Sequence, residues 1–259
     1  MAESDVRTAP TASRGPVDRY ARYTGLAAGA LAGGLLSPLR DGDGVLYAIP
    51  AFGLCAVGGV LLGDALTAPA RGAVRAAGLT PRRVRDYVPP RMTVLLLVLA
   101  VALVALLAVA GVVAGPDDLG RAGRRLTLTC GGVAEGHGPW PGFHYGAPML
   151  AALAIATAAC GWSLRRIATR PGDDRSRRDR SLAIVAAWGV VVSTSLLGAA
   201  STASGALSDM TCDGAAGTAA NAVLLPLALV SLVTAPWTLF TVCSPRAAWW
   251  HRTDRGARG

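Results

Sequence analysis

The sequence predicts an all-α fold, a polytopic transmembrane helical bundle of six spans, and three observations carry that reading. Long uncharged apolar stretches recur along the 259 residues. Charged residues make up only 16% of the chain and sit in blocks between those stretches. The basic residues fall almost wholly on alternate loops. A soluble domain carries about a quarter charged residues, spread over its surface. Apolar runs of about twenty residues separated by charge blocks are the pattern of bilayer spans, not of one large core.

Residues 1–22 form a polar tail with Pro, Ser and Arg and no apolar h-region of a cleavable signal peptide. The first span covers 23–39, from Tyr23 to Leu39, between Arg22 and Arg40. It is short and rich in Gly and Ala. A hydrocarbon core about 30 Å thick needs roughly 17–25 helical residues, so this is the weakest of the six. The second span covers 44–66. The third, 92–115, is nearly pure Leu, Val and Ala and is the clearest. The fourth, fifth and sixth are expected at 146–166, 181–207 and 218–242, followed by a basic tail at 244–259. Each must be helical, because backbone groups in lipid have to satisfy one another within the segment.

All 25 basic residues are Arg. With the N-terminus placed inside, 21 of them fall on one side and only Arg40, Arg121, Arg124 and Arg125 on the other. The positive-inside rule then puts both termini in the cytoplasm of a cell-membrane protein. The net charge of +9 would point to nucleic acid in a soluble chain. Here basic loops orient spans, and the aromatic platforms that bind single strands are missing, so no nucleic-acid partner is expected. Without Lys there is no Walker A lysine and no Schiff base. With two Glu and three His the catalytic vocabulary is thin, no motif calls for a cofactor, and a non-enzymatic role is expected.

Several constellations qualify this frame. External turns at Asp41–Gly44, Thr129–Gly132 and Thr211–Gly214, with Trp162 and Trp237 at matching inner ends, suggest three tandem helical hairpins; chance recurrence of Gly-rich turns is the alternative. Cys130 and Cys212 fall in two of those turns, where an oxidising exterior permits a disulfide. Cys55, Cys160 and Cys243 read as small hydrophobes. Asp64, at the end of span two, is either a transport carboxylate or an interfacial acid paired with Arg71. Ser193, Thr194, Ser201 and Thr202 in span five and Asn221 in span six either line a polar path or bond to helix carbonyls and neighbouring helices. Gly25, Gly29 and Gly33, with Gly59 and Gly63, mark close helix packing.

The longest external segment runs from Asp117 to Tyr145. Cys130, Glu135, His137 and His144 could be drawn as a metal site, but their spacing fixes no ligand face. Trp140, Pro141, Phe143 and Tyr145 read instead as an aromatic belt at the headgroups, or the segment as a lid. On the opposite side the polybasic stretches 71–91 and 165–180 should attract anionic inner-leaflet lipids. Trp249 and Trp250 read as an interfacial anchor.

The Arg-only loops, the Ala/Val/Leu/Gly spans and the stretch Leu79–Arg91 resemble those of uncharacterised multi-pass integral membrane proteins of GC-rich bacteria. That resemblance implies a fold and no activity. Function is therefore expected to be that of a non-catalytic component or accessory subunit, binding another membrane protein or a second copy. A small-molecule permease comes next and a membrane-embedded enzyme last.

Overall fold

The computed structural model describes residues 16–38, 44–67, 90–130, 133–169, 174–211 and 214–245. Six helices and three short strands follow in the order α1 (Pro16–Leu36), α2 (Val45–Leu66), α3 (Pro90–Val113), β1 (Ala114–Gly115), β2 (Arg125–Cys130), β3 (Val133–His137), α4 (Phe143–Thr169), α5 (Asp174–Ser208) and α6 (Gly214–Cys243). Among the described residues, five helices, α2 to α6, are long and apolar enough to cross a bilayer, which makes this a multi-pass membrane protein. At 1.5 Å per residue, α3 is about 36 Å long, enough for a core of about 30 Å.

Helix α1 is not among the five. It begins at Pro16 rather than Tyr23, with Pro at the first position, where its missing N–H is no loss. Its first two turns therefore carry Asp18, Arg19 and Arg22. The apolar part is too short for a span by composition alone. It lies antiparallel along α2, and the glycines explain how. A methyl group on Gly25 would sit 2.6 Å from the Gly59 Cα, and one on Gly63 would sit 2.8 Å from Asp18 Oδ1. Only glycine lets these two backbones approach so closely.

Helix α5 is the axle of the bundle. Its apolar window is 83% buried, against 22% for α6 and 33% for α3 and for α4. Ala, Gly and Ser dominate α5, so neighbours pack on every side. Gly53 of α2 abuts Val191, and Gly189 is wedged between Leu96 of α3 and Thr238 of α6. The outward faces of α3 and α6 carry exposed Val98, Val101, Leu229 and Val233. In a bilayer such Val and Leu faces contact lipid. Helices α3 and α4 meet each other little and are joined through α5, whereas α1 packs on α2 and α6 on α5.

One element is absent from the expected all-helical plan. The segment after α3 folds into a three-stranded antiparallel sheet, β1-β2-β3, with Leu126 opposite His137 and Cys130 opposite Val133. A turn before β2 is held by Asp117, whose Oδ1 accepts from the Leu119 N–H at 3.0 Å and the Arg121 N–H at 2.8 Å. Gly120 supplies the left-handed residue there, with φ of 75°.

Candidate functional site

Among the described residues, the buried charged side chains gather at one end of the bundle, where α1 and α5 begin and α2 and α6 finish. Arg22 is 6% exposed. Its Nη2 and Nε donate to the two oxygens of Asp18 at 2.8 and 3.2 Å. Its Nη1 donates to the Val242 carbonyl at 3.2 Å. That carbonyl belongs to the last turn of α6, where intrahelical partners run out and the helix dipole favours a cation. One Arg thus ties α1 to α6 while a forked contact fixes its plane.

A second pair lies beside the first. Arg180 Nη1 donates to Asp64 Oδ1 at 3.1 Å, linking α5 to α2. Asp64 is buried, as are Arg177 and Asp179 on the first turns of α5. Ser163, Ser181 and Thr241 complete the layer. Asp64 thus engages Arg180; its expected pairing with Arg71 lies outside the described residues. Asp64 itself is only 7% exposed, with Arg180 of α5 against it. Paired in this way, the carboxylate works as a cross-brace between α2 and α5.

The hydroxyls of α5 are satisfied mostly within their own helix, and one reaches a neighbour. Ser193 donates to the Gly189 carbonyl at 2.7 Å and Thr194 to Val190 at 2.7 Å. Ser201 and Thr202 donate to Gly198 at 3.1 and 2.8 Å. Ser204 reaches across to the Asn221 amide oxygen at 2.8 Å, joining α5 to α6. In α6, Thr234, Thr238 and Thr241 also bond back to their own helix. Ser195 and Ser231 are fully buried and have no hydrogen-bond partner.

At the opposite end the helices meet through uncharged groups, and the ion pairs among the described residues there lie in the segment before β2 and at its first residue. Tyr47 Oη and His144 Nε2 lie 2.5 Å apart, and both rings meet Tyr145 edge-on. Trp140 Nε1 donates to the Ala110 carbonyl at 2.9 Å. Trp140, Pro141 and Tyr145 are buried, so only Phe143, 75% exposed, fits the expected aromatic belt. Trp140 sits in a cluster with Ala110 of α3, Leu126 of β2 and residues of α5 and α6, whereas Tyr145 is taken in among α2, α3, α4 and α5. Glu135 accepts from Thr211 Oγ1 at 2.6 Å and the Thr211 N–H at 3.3 Å, clamping β3 to the end of α5. The Thr211 hydroxyl and N–H hold the Glu135 carboxyl below its ordinary value. Burial pushes Asp117 upward, but hydrogen bonds from Arg121 and Leu119 outweigh it and leave that carboxyl lowered too.

Glu135 and His144 are thus engaged in separate contacts, and no group of three metal-ligating side chains occurs among the described residues. Cys130 ends β2; Cys212 lies outside the described residues, as do Trp249 and Trp250 and most of the stretch 71–91. Sequence reasoning missed Asp18, Arg22, Arg177, Asp179 and Arg180. Only the first two left a signal, a four-residue Asp–Arg spacing that fits one helix face. Comparison with family models, with curated proteins and with solved structures finds no match.

Proposed function

We propose that this chain is a non-catalytic component of a cell-membrane complex, crossing the bilayer six times with both termini in the cytoplasm. The observation that carries the reading is that most polar side chains described within the spans are satisfied inside the bundle, by their own helix or by a neighbouring one. Asp64 engages Arg180, and the α5 hydroxyls engage backbone carbonyls or Asn221. The orientation is supported by the 21 to 4 split of Arg. Counting α1 as the sixth pass is supported by its antiparallel packing along α2 through Gly25 and Gly59. The charged end then faces the cytoplasm and its anionic lipids, and the small sheet faces outward. The partner is another membrane protein or a second copy of the chain.

Purification in mild detergent tests this. The expected result is a complex of fixed stoichiometry that survives size exclusion, with tags on both termini protected in intact cells. A lone monomer contradicts it. So does solute uptake that depends on this chain and is abolished by Asp64→Asn with the fold intact, which would favour the permease reading.

A further inference from the structure

The last two turns of α4 turn Trp162, Arg165 and Arg166 outward. All three are exposed, Trp162 at 63%, while Ser163 and Ile167 beside them are buried against the bundle. Spacings of three and four residues put them on one helix face. The Arg166 guanidinium lies 5.3 Å from the centre of the Trp162 ring, within cation–π range. The same face continues toward the sheet end as Ala151, Ile155 and Ala158, all exposed. An apolar strip about 16 Å long thus leads to an indole and then to two cations. A phospholipid has the same order of chemistry along its length, with acyl chain, ester and phosphate. Arg165 and Arg166 make further contacts within the chain, yet both remain exposed.

We infer that this face of α4 binds an anionic phospholipid. Its acyl chain lies along Ala151, Ile155 and Ala158, its ester region against Trp162, and its headgroup on Arg165 and Arg166. Two cations at one headgroup favour a lipid with net negative charge over a zwitterionic one. The site rests on α4 being a span, but not on which leaflet its Arg165 end faces.

The full chain in mild detergent is titrated with phosphatidylglycerol and, in parallel, with phosphatidylcholine, and bound lipid is resolved by native mass spectrometry. Phosphatidylglycerol is expected to be retained in preference, with binding about five-fold weaker for each of Arg165→Gln and Arg166→Gln. Trp162→Ala should weaken it as well. Arg178→Gln, at an exposed Arg on the first turns of α5, should leave it unchanged. Equal retention of phosphatidylcholine, or an equal loss in Arg178→Gln, overturns the site. Displacement by millimolar inorganic phosphate also overturns it, since that would mean an anion site without an acyl strip. The titration reads neither leaflet nor stoichiometry, so failure here leaves the proposed complex and orientation standing. A lone, inverted chain would equally leave the lipid result intact.

Discussion

At the charged end of the bundle, α2 meets α5 through the Asp64–Arg180 ion pair and α1 reaches α6 through Arg22, with these side chains largely removed from solvent. At the sheet end the helices are joined by neutral hydrogen bonds and by one carboxylate clamp. Arg22 and Asp64 are 6% and 7% exposed, whereas Glu135 meets Thr211 in contact with solvent. The difference matters because a buried charge is tolerated only with its partner in place. Removing one member of such a pair typically costs about 3–5 kcal/mol, while losing a neutral hydrogen bond costs roughly 1–3 kcal/mol. The charged end should therefore respond to single substitutions far more sharply than the sheet end.

The largest single effect is expected for Arg22→Met. It leaves Asp18 without its forked partner and the α6 carbonyl of Val242 without a donor, for a loss of about 3–5 kcal/mol. Thermal unfolding in detergent reads it directly, and a near-unchanged melting temperature would break the comparison. Gly59→Val comes next, because its side chain would have to enter a space where a methyl already lies 2.8 Å from the Gly25 Cα and the Ala21 carbonyl. Overpacking of that kind costs about 1–3 kcal/mol, and cysteine crosslinking between α1 and α2 should fall with it.

These two substitutions also mark what the sequence reveals. The Leu/Val/Ala run of α3 can only be a span, and the glycines of α1 and α2 at four-residue spacing announce their contact face. Arg177, Asp179 and Arg180 are a different matter. A run such as Arg175–Arg180 reads as a solvated loop, and nothing local says that α5 extends through it to bury part of its charge. The start of α1 was hidden for the same reason, since Asp18, Arg19 and Arg22 look like a tail until their partners are known. The small sheet is hidden differently. Arg125–Cys130 does alternate polar and apolar residues, but one short strand makes no sheet alone, and its partner β3, VAEGH, carries no such pattern.

The sheet end should give the smaller effects. Trp140→Phe keeps the ring but removes the N–H donated to Ala110, for a loss of about 1–2 kcal/mol read by thermal unfolding. The smallest effect is set by pH. Because the Glu135 carboxyl is lowered in the folded chain, its contribution is complete above the ordinary glutamate value. It is lost only as pH falls through the lower folded value. Hydrogen exchange in β3, compared with a remote helix as internal standard, should therefore quicken in acid. Glu135→Gln should remove most of that acid response. An unchanged pH profile in Glu135→Gln would mean that the clamp does not hold the strand.

The Asp64–Arg180 pair tests most directly whether charge in this bundle serves to brace helices. Asp64→Asn, Arg180→Met and the double substitution are compared with the parent chain by reversible unfolding in detergent. The bracing role predicts that each single change destabilises by several kcal/mol and that the double change recovers much of the loss, giving a strongly favourable coupling between the two side chains. Additive losses, or an Asp64→Asn chain as stable as the parent, would contradict it.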